Sequence, residues 1–308
     1  MVFLFGVTGY VGSAFFQYLL ERKVPVRGFS RKEVNLLHRE ALWRLLQESK
    51  PEFIINAAGY TGKPNVDACE DHKAECLLGN VAIPAVLKEV CGELGLPWGH
   101  VSSGCIYTGS KAETFIGPVG FREEDPPNFS FRQNNCSFYS GTKALAEEIL
   151  ADAPLCYLWR LRIPFDSVDH PKNYLSKLLR YPKLVDVRNS LSYLREYVAA
   201  CWACWEKRLP FGTFNVTNPG SVTTREVVEL ILESPLGPKL VQSGKRFEFF
   251  SSEEEFYREA ARTPRSNCVL DSSKILQHGV FLSDVREALA KALRSWRWKG
   301  EWRLGEEP

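Results

Sequence analysis

The chain opens with a four-residue apolar run, Val2-Phe-Leu-Phe5, that ends directly on Gly6-x-x-Gly9-x-x-Gly12. A short apolar run followed by such a turn and a helical pattern predicts a central parallel strand feeding a helix from about Tyr10 to Arg22. In this pattern glycines permit the tight turn, a close backbone approach to a pyrophosphate and close helix-on-strand packing. The helix N-terminus then offers free N–H groups to phosphates. Gly6, Thr8, Gly9, Tyr10, Val11 and Gly12 are therefore expected to contact a dinucleotide cofactor.

Pro25 to Ser30 reads as the second strand, and an NAD site would place Asp or Glu at its end for the ribose diol. Ser30-Arg31-Lys32 stands there instead and suits the 2′-phosphate of NADPH (NADP+). Helix is expected over 40–49, and Glu52 to Asn56 reads as the third strand. Asn56, Ala57 and Ala58 mark its end and are expected to flank the cofactor. Cys69 to Leu94 carries helical periodicity with a break near Gly79-Asn80 and Pro84, and Trp98 to Ser102 forms the fourth strand. Residues 109–133 read as one long loop. The strand over 155–164 contains Arg160 and Arg162, for which a sugar diphosphate or a structural carboxylate are both fitting partners. The charged stretch 251–263 has few core positions.

The fold class expected is α/β: a Rossmann-type doubly wound parallel sheet over residues 1–163 that binds NADP, rejoined by the chain around 185–220. Residues 164–308 mainly form a smaller C-terminal α/β substrate lobe and a tail, in which Trp296 to Trp302 could cover the body or a second subunit. A formal net charge of +2 argues against a nucleic-acid or membrane surface. With no apolar run of membrane length, a cytoplasmic enzyme is expected. Nine scattered cysteines suit a reducing compartment, and Cys201-x-x-Cys204, inside an apolar-periodic helix, reads as two buried thiols, so no metal site is expected.

Two further stretches carry the chemistry. Tyr139-Ser-Gly-Thr-Lys143 puts a phenol and an ammonium on one helix face, where the cation favours loss of the phenolic proton. Val101-Ser-Ser-Gly-Cys-Ile-Tyr107 ends a strand with hydroxyls. Together with the glycine turn, this combination resembles the extended short-chain dehydrogenase/reductase family. Ile55 to Asp67, Gly120 to Phe129 and Pro264-Arg-Ser-Asn-Cys-Val-Leu-Asp271 are similar to its nucleotide-rhamnose synthases, which are 3,5-epimerase/4-reductases, and more distantly to dTDP-4-dehydrorhamnose reductases.

The resemblance implies Ser103, Tyr139 and Lys143 as catalytic residues, the last two also contacting the cofactor. Cys105 holds the place of the cysteine in the Ser-Ser-Cys-Ile-Tyr of GDP-fucose synthase, which implies proton transfer for epimerisation. Asn173-Tyr-Leu-Ser-Lys177 matches the family's Asn-Phe-x-x-Lys, implying Lys177 as a partner acid or base. Thr61, Asn65, Ser103, Asn173, Arg265 and Asn267 would face a nucleotide sugar. Asn80 matches an asparagine that keeps a helix kink and stands outside the catalytic set. The family's habit implies a homodimer. The activity implied is NADPH-dependent conversion of a nucleoside-diphosphate-4-keto-6-deoxyglucose to the rhamnose. A plain 4-reductase remains open, as does a non-catalytic NADP-binding regulatory subunit of the methionine adenosyltransferase partner type.

Overall fold

The computed structural model describes residues 1–63, 65–115 and 117–299. The apolar runs become strands β1 (Val2–Phe5) and β3 (Phe53–Asn56), buried at every position. Alternation sends Val2, Leu4, Phe53 and Ile55 into one core and Phe3, Phe5 and Ile54 into another. Helices must therefore cover both faces of the sheet, as uninterrupted apolar strands require. Helix α1 (Tyr10–Glu21) joins β1 to β2 (Val26–Phe29), and α2 (Arg39–Ser49) joins β2 to β3.

Beyond β3, a 3₁₀ turn at Val66–Cys69 leads into α3 (Lys73–Leu77), a π turn at Leu78–Ala82 and α4 (Ile83–Leu94). The expected break is thus one widened turn around Gly79-Asn80, while Pro84 falls in the first turn of α4, where a missing N–H is tolerated. Strand β4 (Trp98–Ser103) follows. The segment expected as a single loop holds an antiparallel hairpin, β5 (Ala112–Thr114) and β6 (Gly117–Val119), and a 3₁₀ turn at Phe131–Gln133. Both hairpin strands are short and mostly exposed, so no apolar alternation announces them. Helix α5 (Phe138–Leu150) and strand β7 (Cys156–Leu161) complete this half.

Four short strands alternate with helices next: β8 (Pro164–Phe165), α6 (Tyr174–Arg180), β9 (Lys183–Leu184), β10 (Arg188–Asn189), β11 (Ser192–Tyr193) and α7 (Leu194–Glu206). The remainder is β12 (Gly212–Asn215), β13 (Val222–Thr223), α8 (Thr224–Glu233), α9 (Gly237–Gln242), β14 (Glu248–Phe249), α10 (Glu253–Glu259), α11 (Ser273–Gln277) and α12 (Val285–Arg294). Thr223 begins α8 with a reciprocal capping box to Glu226. The charged stretch 251–263 is ordered into α10, capped by Ser252.

The main sheet is six-stranded and parallel, in the order β12-β7-β4-β3-β1-β2. Because β2 and β3 flank β1 on opposite sides, the connections part there and leave a crevice at the carboxyl ends of β1 and β3. Helix α7 packs in the first core, where Cys201 and Cys204 are buried free thiols. A separate core gathers Phe165, Leu178, Val227, Ile231 and Leu289, with Trp296 and Trp298 packed against it. That part of the tail lies over the body, while Gly300 to Trp302 fall outside the described residues. Among the described residues no helix is long and apolar enough to cross a membrane, and no cluster of metal-ligating side chains occurs.

Candidate active site

At the crevice the glycines are enforced by packing. Gly6 has φ +81°, and a Cβ on it would lie 2.6 Å from Ala58 N, while one on Gly12 would lie 2.0 Å from Gly6 O. Gly9 starts α1 without a side-chain cap and no acid occupies the first turn, so its N–H groups remain suited to a phosphate. Thr8 is exposed beside it, and Val11 packs against the first core. The Tyr10 ring stacks on His170 with centroids 4.5 Å apart.

Asn56 is fully buried and serves the backbone: its Oδ1 accepts from Ala58 N at 3.0 Å, and its amide meets His100 Nδ1 at 3.0 Å. Ala57 and Ala58 are half-buried at the strand end. At the end of β2, Ser30 is engaged by a residue the sequence reading missed. Its N–H and Oγ both donate to Glu33 Oε2 at 2.8 Å, leaving Arg31 and Lys32 exposed alongside. The Ser-x-x-Glu spacing is the signal that could have revealed this local bond.

Strand β4 and helix α5 bring Ser103, Cys105, Tyr139 and Lys143 together. Ser137 caps α5 by accepting from Ser140 N at 3.3 Å, which sets the phase of Tyr139 and Lys143. Ser103 Oγ accepts from Cys105 N at 3.2 Å, turning the chain back at the strand end. Burial pushes the Tyr139 phenol well above its usual value, with Cys105 next in influence and a bond to Ser103 opposing. Burial likewise lowers the Lys143 ammonium, whose Nζ donates to Val101 O at 3.2 Å. Burial is the largest influence on both groups, which are desolvated together. The Cys105 thiol is 5% exposed and is raised by burial, against the bonds of Ser103 and Ser140 and the charges of Arg162 and Lys143.

Asn80 supports this group. Its Nδ2 donates to Tyr60 O at 2.9 Å and Thr142 Oγ1 at 3.2 Å, and its Oδ1 accepts from Tyr60 N at 2.8 Å. The π turn thus ties the loop after β3 to the Tyr139 helix. Arg160 finds the structural carboxylate: Glu147 grips its Nε and Nη2 at 3.0 and 2.8 Å, and Ser102 Oγ donates to the same carboxylate at 2.6 Å. Glu147 lies on the helix that precedes β7, and no local spacing pairs it with Arg160.

The residues expected to face the sugar divide into two kinds. Lys177 and Arg265 belong to a cationic wall with Lys172, which donates to Thr61 Oγ1 at 3.0 Å. Burial and those two neighbours hold the Lys177 ammonium below its usual range. Arg265 is tied to Asp67 at 2.6 Å. Asn65, Asn173 and Asn267 are committed within the protein. Asn65 accepts from Asp67 N at 2.8 Å, and Asn267 Oδ1 accepts from Asn189 Nδ2 at 3.3 Å. Asn173, fully buried, caps α6 and donates to the carbonyls of Asp166 and Val168 at 2.8 Å.

A parallel sheet with a glycine turn at its crevice, and Ser103, Tyr139 and Lys143 gathered beside it, defines an oxidoreductase of the short-chain dehydrogenase/reductase class. The chain belongs to the RmlD substrate-binding domain family, whose model matches residues 1–297. It is 33% identical over 94% of its length to a bifunctional dTDP-4-dehydrorhamnose 3,5-epimerase/dTDP-4-dehydrorhamnose reductase of Arabidopsis thaliana, covering 90% of that relative. It is equally identical to a trifunctional Arabidopsis thaliana enzyme that adds a UDP-glucose 4,6-dehydratase, of which it spans 41%. Its fold matches the crystal structure of the UDP-rhamnose synthase of Acanthamoeba polyphaga mimivirus with a TM-score of 0.84, at 23% identity over 96% of this chain and 98% of the other.

Proposed function

We propose that the chain is an NADPH-dependent 3,5-epimerase/4-reductase that converts a nucleoside-diphosphate-4-keto-6-deoxyglucose to the corresponding NDP-rhamnose. The observation that carries this reading is the thiol of Cys105 buried in the same group as Ser103 and Tyr139. A reductase needs the hydroxyl, the phenol and the lysine, and a proton-transfer thiol among them serves a second purpose. The relatives that pair epimerase with reductase in their names support it.

The glycine cradle, which any Cβ at Gly6 or Gly12 would fill, and the basic pair Arg31 and Lys32 fit NADPH. When bound, the nicotinamide supplies the hydride for C4. The protein's own part begins at the C4 ketone. Its flanking C3 and C5 protons are acidic because their loss gives an enolate, and Tyr139 and Ser103 would donate to the oxygen that gathers the charge. Cys105 and Lys177 are the groups assigned to exchange those protons. A raised Tyr139 phenol stays protonated at neutral pH, which suits it to deliver the final proton to the C4 oxygen.

The test is turnover of UDP-4-keto-6-deoxyglucose with NADPH in deuterated water, with the sugar read by NMR. Rhamnose carrying deuterium at C3 and C5, with labelling abolished in Cys105→Ala, is the expected result. A product reduced at C4 alone and unlabelled would reduce the protein to a simple 4-reductase.

A further inference from the structure

We propose that Arg162 is the counter-charge of Cys105: its guanidinium, buried at the end of β7 without a carboxylate partner, stabilises the thiolate that proton transfer at the sugar creates. The assignment rests on the epimerisation reading above and names the residue that makes it workable.

The geometry starts in the sheet. Ser103 on β4 pairs with Leu161 on β7, so Arg162 leaves its strand beside Gly104 and Cys105. Arg162 is 6% exposed, and no ion pair reaches it among the described residues. Its Nη2 donates to neutral acceptors only, Asn189 Oδ1 at 2.5 Å and the Ser266 carbonyl, and its buried Nε has no partner. Arg160, two residues earlier, shows what neutralisation looks like here: a bidentate grip by Glu147. A buried cation left with an unused donor requires an anion at some stage of the protein's work.

The structure also links Arg162 to the thiol's own surroundings. Asn189 Oδ1 accepts from Cys268 N at 3.0 Å, and Cys268 Sγ donates to Gly104 O at 3.2 Å. The groups that act most on Cys105 are Ser103, Ser140, Arg162 and Lys143, and Cys136, Tyr139 and Cys268 feel its charge in turn. None of these groups is a carboxylate. Two are cations, and Lys143 is already held on Val101 O. Of the two, Arg162 has the larger effect in favouring the thiolate.

The step balances simply. When Cys105 accepts a proton, the C–H bond breaks, an S–H bond forms, and the electron pair enters the enolate. When Cys105 donates, the S–H bond breaks and a C–H bond forms. One of the two states is a thiolate in either direction, and burial makes it costly without a cation at hand. Arg162 is thus a positioning residue, acting through Cys105.

The experiment measures deuterium exchange at C3 and C5 of UDP-4-keto-6-deoxyglucose across pH, alongside NADPH-dependent turnover, in wild type, Arg162→Gln, Arg162→Lys and Cys105→Ala. Removing the cation raises the thiol, so the midpoint of exchange in Arg162→Gln moves up by at least one pH unit. That is about a tenfold loss of exchange at any pH below the midpoint. Arg162→Lys keeps the charge and the wild-type midpoint. If Arg162→Gln does not fold, the lysine variant still decides, since a midpoint shifted upward despite the retained charge would overturn the assignment. An unchanged midpoint in Arg162→Gln, or a raised KM for the nucleotide sugar as its only defect, would also overturn it and make Arg162 a substrate anchor. Should wild type exchange no deuterium, or Cys105→Ala exchange normally, the epimerisation reading itself falls first.

Discussion

Tyr139 and Lys143 sit one helical turn apart, yet their protonation is governed by the depth at which α5 buries them. Removing the hydroxyl tests which role survives. Tyr139→Phe should lose roughly 10²–10⁴-fold in reduction, the range general acid catalysis commands, with the circular dichroism spectrum unchanged. The pair itself was legible from spacing and from the hydroxyl-rich strand end. Its electrostatics were not, because desolvation depends on what α3, the π turn and β4 place around the pair. The asparagines show the same limit: a capping Asn173 and a ligand-binding Asn173 are spelled alike, and only the backbone groups at hand distinguish them.

Among the elements, β4 and α5 carry the most buried polar chemistry, and two stability predictions belong to them. Glu147 is the carboxylate that pairs with the buried Arg160, so Glu147→Gln strands a cation and should cost about 3–5 kcal/mol in urea unfolding. His100, buried on β4, titrates well below its usual value because burial and then the Lys143 charge oppose protonation. The unfolded chain therefore binds a proton that the folded chain refuses. Stability is full above about pH 6.5, the unfolded value, and falls as the pH drops below it. The urea midpoint should decline from pH 8 to 5.5, and His100→Gln should flatten that decline. Strands β1 and β3 were readable because both faces are buried and the apolar run is unbroken. The β5–β6 hairpin was not, since exposed strands of three residues have no pattern to offer.

At the scale of the molecule, the wall proposed to face the sugar is built from remote segments. Asp67, in the 3₁₀ turn after β3, holds Arg265 at 2.6 Å and accepts from Thr263 Oγ1 at 2.7 Å, while Asp71 pairs with Arg262 at 2.8 Å. Asp67→Asn should therefore raise KM for the nucleotide sugar severalfold with little change in NADPH affinity, measured by steady-state kinetics and fluorescence titration. No local spacing could pair Arg265 with Asp67, almost two hundred positions away. The sheet body has the same long-range character. Its sixth strand, β12, and its covering helix α7 lie past residue 190, and Ile275, Val280 and Leu282 close the first core. On the ribosome, then, Phe53 waits for Tyr157, Trp202 and Trp205, ring partners made more than a hundred residues later. At about 5–20 residues per second the nascent chain carries an unfinished hydrophobic face for several seconds or longer, a period in which that face is open to aggregation.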